Sequence, residues 1–363
     1  MKKSLILGGM LCLALSTANA QTEVSKYIPG VTTDGVTYFL PKTGLKVRVT
    51  AMKITHTPGE FVEYAERYIQ SKESADSYTS WSIENIDVAA FGVADTSKVF
   101  SVKFNPKTIA PLMELSKEGV ILSVNAKPMP EAEMPNRVYK KSPVLNAHDY
   151  MTQEILNANS KAKMASLTAD KIFELRDSKN ELASGQASYM PTDAAQMKLM
   201  FNKLETTEKA LLQVFKGVND TTYVTRTFTI LPNRETNAEE LFRFSKHLGI
   251  VDADDLSGAP VYWSLVDSHT VPAPVPEPVI EEPKKKKFSF GKKGANGDEG
   301  MIYALPSTTT FKIFERNNVL YENDFPMGQF GNVEKLSPAY YDVKTTTKVY
   351  FDSTTGAIRK ISE

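Results

Sequence analysis

Apolar and polar side chains alternate along the N-terminal part of the chain. In residues 45–54 (LKVRVTAMKI), leucine and valine alternate with lysine, arginine and threonine, and residues 36–41 (VTYFLP) are rich in β-branched and aromatic side chains. A period of two is typical of a strand that is buried on one face. Further strand-like segments follow at residues 81–88, 98–104 and 120–125. The pattern predicts an N-terminal β-rich unit over residues 21–140.

One short helix is predicted inside this unit. Residues 57–60 (TPGE) combine a threonine that can cap a helix, a proline that fits the first helical position and a glutamate that completes a capping box. Phe61, Tyr64 and Tyr68 then recur at helical spacing. Such an aromatic stripe is typical of a surface that faces the core, and a platform for a ligand is the alternative.

From residue 150 the apolar period lengthens to that of a helix. Two apolar stripes lie on either side of Pro191, and Gly185 and Gly217 are of the residue type that commonly ends helices. We therefore predict an inserted antiparallel helical hairpin over residues 150–217. The second stripe is rich in methionine, which is typical of the seam between two helices or, alternatively, of an adaptable docking surface.

Central β strands are predicted over residues 221–268, beginning with the alternating segment 223–231 (YVTRTFTIL). Residues 241–245 (LFRFS) are ambiguous. Thr236 and Glu239 could form a capping box before a helix, yet LFRFS also alternates as a strand does. We interpret it as a strand.

Residues 270–299 differ in composition from the rest of the chain. Prolines alternate with small and acidic residues, and a run of four lysines follows, namely Lys284, Lys285, Lys286 and Lys287. Such a segment cannot bury a core, which predicts a disordered loop rich in proline, lysine and glycine. The lysines form either a solvated surface or an electrostatic contact with an anionic surface such as lipid headgroups, which would be a peripheral membrane contact.

The C-terminal β unit, residues 300–363, contains matches to the N-terminal unit. Residues 35–43 and 300–308 are identical at five of nine positions. Weaker matches follow in the same order, between 59–61 and 328–330 and between 102–110 and 349–357. Ordered self-similarity predicts two related copies of one unit, and chance resemblance between β-rich segments is the alternative. The predicted fold class is α+β, with mainly antiparallel β units and the inserted hairpin.

Residues 1–20 have the pattern of a secretory signal peptide. Two lysines near the start of the chain precede an apolar run that is too short to span a bilayer. A site of small residues after this run predicts cleavage after Ala20. Cys12, the only cysteine, follows Leu11 inside the apolar run, which argues against a lipoprotein signal. The mature chain then has no cysteine, which excludes thiol chemistry. We expect it in the periplasm or cell envelope of a Gram-negative bacterium.

Charge and motif content narrow the classes of function. The 43 basic residues equal the 43 acidic residues in number, which argues against nucleic-acid binding. The sequence lacks the spacing motifs of serine hydrolases, zinc proteases, P-loop proteins and dinucleotide-binding proteins. No catalytic, cofactor-binding or metal-ligating residue is assigned. Thr221 and Ser353 follow aspartates in predicted turns, of which the second is a hairpin loop that Gly356 can close with a positive φ. Both segments resemble the O-glycan acceptors of Bacteroidetes, which makes Thr221 and Ser353 candidate acceptors.

Five segments together resemble a family of exported Bacteroidetes proteins that is catalogued only as a domain of unknown function. They are GVTYFLP, PGEFVEYAERY, LFRFS, FPMGQFG and FDSTTGAI. The resemblance covers nearly the whole mature chain outside residues 270–299. It implies export, and it implies no chemistry, because no site residues are assigned to the family.

These observations leave two hypotheses of function. The favoured one is a non-enzymatic interaction or structural protein of the cell envelope with an envelope protein as partner, because β edges and amphipathic hairpins commonly bind partners. The alternative is a periplasmic or surface hydrolase or binding protein that acts on glycans or envelope polymers. The hydrolase predicts a concave cluster of acids with at least one perturbed pKa. The oligomeric state stays open.

Overall fold

The chain folds into antiparallel sheets and a few helices, which confirms the predicted α+β class with mainly antiparallel β structure. The computed structural model describes residues 23–26, 35–103, 112–131, 133–141, 143–272, 300–337, 340 and 347–362. Its strands are β1 (Glu23–Lys26), β2 (Val36–Thr57), β3 (Tyr78–Lys103), β4 (Met113–Leu115), β5 (Ile121–Val124), β6 (Val218–Ile230), β7 (Thr236–Ser245), β8 (Gly249–Val251), β9 (Ala259–Asp267), β10 (Met301–Glu315), β11 (Asn318–Leu336), β12 (Lys348–Phe351) and β13 (Ile358–Ser362). Its α-helices are α1 (Ala65–Ile69), α2 (Gln153–Leu156), α3 (Lys161–Ser184) and α4 (Ala194–Lys216), with 3-10 helices at Val62–Tyr64 and Ala147–Tyr150.

The strands form three sheets. The order is β1-β3-β2-β6 in the first sheet, β11-β10-β9-β7-β8 in the second and β13-β12-β5-β4 in the third. Side chains of the first and second sheets share one large core, to which β2 contributes Val47 and Val49 and β9 contributes Trp263 and Leu265. Alternate residues of β2 face this core, as the period of two in the sequence predicts.

Two long hairpins, β2–β3 and β10–β11, contribute to this first core and to a second one. The second core contains Tyr38 of β2, Ala304 of β10 and side chains of the third sheet such as Val349. The buried Tyr38 hydroxyl joins the two hairpins there. It accepts a hydrogen bond from the Ile302 N–H at 2.8 Å and donates one to the Ile302 carbonyl at 3.0 Å.

Each hairpin changes register where a Leu-Pro pair interrupts its first strand. The pairs on either side of the shift are Phe39 with Val99 and Pro41 with Ala94 in β2–β3, and Leu305 with Asn332 and Ser307 with Met327 in β10–β11. Proline has no N–H to donate to the sheet, so an irregularity in the ladder beside Pro41 and Pro306 accommodates it. The partner strand advances by the same number of residues at the shift in both hairpins.

The helices end where the sequence predicts. Gly185 follows α3 in the left-handed conformation with φ of 75°, and Gly217 follows α4 with φ of 80°. The Asp193 carboxylate accepts hydrogen bonds from the first N–H groups of α4, at 2.7 and 2.8 Å. Helices α3 and α4 share a third core, which includes Leu175 and Leu211.

The helix predicted to start at residues 57–60 starts later. Strand β2 extends through Thr57, and the 3-10 helix begins at Val62 with no side chain capping it. The Phe61 N–H donates to the Val214 carbonyl at the end of α4, and a Cβ on Gly59 would overlap the same carbonyl. This tertiary contact sets the turn, and residue spacing does not reveal it. The aromatic stripe packs into the third core as predicted, with Phe61, Tyr64 and Tyr68 as members.

Three further details separate the sequence interpretation from the structure. The segments predicted as separate strands at residues 81–88 and 98–104 belong, as far as the described residues extend, to the single strand β3, which ends at Lys103. LFRFS ends strand β7, which confirms the strand interpretation over the capping box. The match between residues 59–61 and 328–330 does not hold, because the first lies in a turn before a helix and the second lies within β11.

Candidate functional site

Strand β6 is the edge of the first sheet, where no other described residue forms a strand beside it. It pairs with β2 in an unbroken register from Ile230 opposite Leu45 to Val218 opposite Thr57. Residues 224–227 and Thr229 are exposed. The outer side of this segment therefore presents main-chain N–H and C=O groups in a regular array, which is a template for a further strand.

The composition of β6 explains its strand structure and leaves its edge unprotected. Threonine, valine and aromatic residues, which favour strands, make up most of its sequence VNDTTYVTRTFTI. Proteins commonly protect an edge strand with lysine, proline or a bulge. Strand β6 contains neither lysine nor proline, and its pairing with β2 continues without a shift. Its two charged side chains form surface ion pairs, Asp220 with Lys141 and Arg226 with Asp252.

A groove of about 760 Å³ opens between the end of β6 and the start of β7. Residues 231–235 connect the two strands, and residues 231–234 line the groove. Phe228, Leu241 and Trp263 line it, and Trp263 belongs to the first core with only 5% of its surface exposed. The Phe228 ring stacks on Phe242 at 5.3 Å between centroids, which joins the two sheets at the groove. The groove therefore gives access from solvent to the apolar interior beside a free strand edge.

Two acidic side chains of β7 line the groove, and they differ in their ion-pair partners. Glu240 accepts two hydrogen bonds from Arg243, at 2.9 and 3.0 Å. Glu239 is exposed, and the structure records no ion pair for it with another described residue. Glu239 lies directly opposite Trp263 in the β7–β9 pair, so both side chains are on the face of the sheet that borders the groove.

An extended segment, residues 133–141, crosses the face of the first sheet opposite the first core. Asp87 holds it through Arg137, at 3.0 Å, and also pairs with Arg48 at 3.4 Å. Burial alone would raise the pKa of Asp87, but hydrogen bonds from Asn85, Arg137 and Arg48 outweigh it, and the pKa is lowered. Tyr139 of this segment stacks on Tyr223 at 4.3 Å, next to the exposed part of β6 that begins at Val224.

The sequence-predicted acceptor residues lie on different elements of the fold, and neither lines the groove. Thr221 was placed in a turn by the sequence, but it lies within β6 opposite Ile54. The strand propensity of the threonine-rich segment outweighs the turn signal of Asp220. Ser353 lies, as predicted, in the hairpin loop between β12 and β13, which Gly356 closes with φ of 76°. Lys284, Lys285, Lys286 and Lys287 lie outside the described residues.

The four histidines do not form a common site. His56 is buried and hydrogen-bonds Asn219 at 2.7 Å, His148 contacts Glu60 at 3.2 Å, and His269 contacts Asp267 at 3.1 Å. His247 is exposed in the turn between β7 and β8. No group of three or more histidine, cysteine, aspartate or glutamate side chains among the described residues could hold a metal ion. None of the described helices combines the length and apolar composition that crossing a membrane requires.

Several carboxyl groups have shifted pKa values, and each shift is downward. The residues are Asp87, Asp95, Glu205, Glu208 and Asp255. The general acid of a glycan hydrolase needs a raised pKa in order to hold its proton near neutral pH. These five groups do not have that property.

Three of the five sequence motifs meet where the sheets join. Gly328 (FPMGQFG) and Gly356 (FDSTTGAI) both approach Pro41 (GVTYFLP) so closely that a Cβ would lie 3.3 Å from the Pro41 carbonyl oxygen or 2.7 Å from its ring. Gln329 accepts a hydrogen bond from the Thr43 N–H at 2.9 Å and donates one to the Thr43 carbonyl at 2.8 Å. These motif residues thus hold hairpins together and do not line the groove.

The chain belongs to the family described as Domain of unknown function (DUF4831), whose model matches residues 34–359. The match runs from just before β2 into β13, and it confirms the resemblance to a family catalogued only as a domain of unknown function. No curated protein and no solved structure matches the chain.

Proposed function

We propose that this chain is a non-enzymatic interaction protein of the cell envelope that accepts an extended strand of a partner protein at the edge of β6. The observation that carries the proposal is the regular exposed edge at residues 224–229, which borders a groove that contains the apolar side chains of Phe228, Leu241 and Trp263. Main-chain hydrogen bonds to such an edge supply affinity, and the neighbouring groove supplies specificity for alternate side chains.

The position of the groove beside β6 favours the addition of a whole strand over a contact made by single side chains of a partner. A strand added to β6 would direct every second side chain toward Phe228 and Trp263, because side chains alternate between the two faces of a sheet. Burying one large apolar side chain there would contribute about 1.5–3 kcal/mol before the cost of ordering the partner. Strand β7 is less suited to the same role, because its pairing with β9 is interrupted by two register shifts.

Proline substitution separates main-chain pairing from other contacts. Successive N–H groups of an edge strand point alternately toward the neighbouring strand and away from it. Of the variants Arg226→Pro and Thr227→Pro, one therefore removes only an outward N–H and leaves the pairing with β2 intact. We expect that variant to retain its free energy of unfolding and to lose the partner.

The measurement is photo-crosslinking in the native cells from a reactive residue at Thr229, with the same residue at the exposed Ser82 of β3 as control. The proposal expects a product from position 229 that the tolerated proline abolishes. A product that is unchanged in the proline variant, or equal at both positions, would contradict it.

The envelope location and the modification sites are part of the same proposal. They are supported by the leader pattern of residues 1–20, by the aspartates that precede Thr221 and Ser353, and by the lysines at 284–287, for which we propose contact with an anionic surface. The intact mass of the protein from native cells tests the cleavage of the leader and the presence of the glycans. A chain starting at Gln21 with added glycan mass is expected, and a bare chain would contradict the glycans.

We also propose that the hairpins β2–β3 and β10–β11 are two copies of one unit. Support comes from the identities between residues 35–43 and 300–308 and from the shared register shift at Pro41 and Pro306. Pro41→Ala and Pro306→Ala are then expected to change the free energy of unfolding by similar amounts. A large effect at one proline alone would contradict their equivalence.

A further inference from the structure

The groove beside β6 contains one carboxylate whose place in the fold is unusual. Glu239 lies opposite Trp263 in β7, on the face that elsewhere in this strand carries the buried Phe242. An acidic side chain on a core-facing position is costly unless it has water or a cation as partner. Glu239 is exposed to solvent and lines the groove.

A strand that binds beside β6 would cover this carboxylate and remove its water. Of the other charged side chains lining the groove, Glu240 is held by Arg243, and Arg234 lies on the exposed connection between β6 and β7, with no ion pair to Glu239 among the described residues. Covering Glu239 with an apolar or acidic residue would leave a poorly solvated charge, which costs binding free energy. A basic side chain would instead form a charge-assisted hydrogen bond, and the aromatic side chains nearby also favour a cation.

We infer that the strand accepted by β6 carries a lysine or arginine that enters the groove and pairs with Glu239. The inference rests on the proposed function, since it specifies the chemistry of the partner strand. The basic residue would lie on the same face of that strand as the residue that contacts Phe228, because alternate side chains share a face.

A display library of random peptides, each long enough to form one strand, tests the inference with the mature protein as target. Enriched peptides are expected to share a basic residue at one position among alternating β-formers. Glu239→Gln should weaken their binding about tenfold. Glu84→Gln, which removes the same charge from an exposed position on β3, should leave binding unchanged.

A second selection uses a target with the opposite charge, so that the pairing is tested by a change in peptide preference as well as by a loss of binding. Glu239→Lys should enrich peptides with aspartate or glutamate at the position that was basic. Peptides that lose binding in the tolerated proline variant but show no charge preference would overturn this inference and leave strand acceptance standing. If the library yields no peptide that binds at β6, both the inference and the proposed function fail.

Discussion

Glu208 shows how a single residue joins the two long helices. It is only 8% exposed on α4, and its carboxylate receives hydrogen bonds from Arg176, at 2.7 Å, and Lys179 on α3. Burial alone would raise its pKa, but these two cations outweigh burial and lower it. Removing the carboxylate leaves two cations without a partner, and their partial exposure lets water compensate in part.

Glu208→Ala is therefore expected to lower the free energy of unfolding by about 1–3 kcal/mol. Urea denaturation followed by circular dichroism measures it. Glu205→Ala is the matched control, because Glu205 lies one turn away on α4 and pairs only with the exposed Lys209. An equal loss in both variants would contradict the role of the buried carboxylate.

The stability of the protein should also fall in acid. The pKa values of Asp87 and Glu208 are lowered from 3.8 and 4.5. A carboxyl with a lowered folded-state pKa stabilises the fold above its unfolded pKa, and this stabilisation is lost as the pH falls through the folded value. We expect the denaturation midpoint to drop as the pH falls below these ordinary values. The double variant Asp87→Asn, Glu208→Gln should have a flatter profile, and an identical profile would contradict the assignment.

Close contacts between elements constrain the glycines more than turn geometry does. A Cβ on Gly92 of β3 would overlap the Ser353 carbonyl in the β12–β13 loop, whereas a Cβ on Gly185 would meet no atom within 4 Å. Gly92→Ala must displace backbone, which costs about 1–3 kcal/mol, like other overpacking substitutions. Gly185→Ala only strains a left-handed residue, at a cost of about 1 kcal/mol.

Thermal unfolding of the two alanine variants distinguishes these costs. The larger loss is expected for Gly92→Ala, together with weaker packing of the β12–β13 loop. A larger loss for Gly185→Ala would show that the close approach between the sheet and the loop is not maintained in solution.

The elements that the sequence predicts well are those whose signals are local. The period of two in β2, the end of α3 at Gly185 and the hairpin loop closed by Gly356 follow from side-chain spacing and turn chemistry. The helix after β2 is misplaced because its start depends on the contact between Phe61 and the Val214 carbonyl, which are distant in sequence.

The groove was not predicted from the sequence for the same reason. The sequence does contain part of the signal, a threonine-rich strand without lysine or proline, but which strand forms an edge depends on sheet order. Glu239 was considered as part of a capping box, and only its register opposite Trp263 reveals its position in the groove. Edges and grooves arise from long-range pairing, so spacing along the chain cannot show them.

At the scale of the whole molecule, two long hairpins tie the cores of three sheets together. Strands β2 and β10 each contribute side chains to the first core and to the second core. The residues around Pro41, Gly328 and Gly356 hold the two hairpins in close contact. This arrangement buries the middle of the first sheet and leaves β6 at its margin. The scaffold is thus closely packed where three of the family motifs meet, and its edge is open where we propose that a partner strand binds.

Hydrogen–deuterium exchange of the protein, with and without a peptide selected from the library, tests strand acceptance most directly. Because new main-chain hydrogen bonds slow exchange, binding at β6 predicts protection centred on residues 224–229 and little change in α3 and α4. Protection confined to the helices, or no protection in β6 when the peptide is bound, would contradict the proposed function.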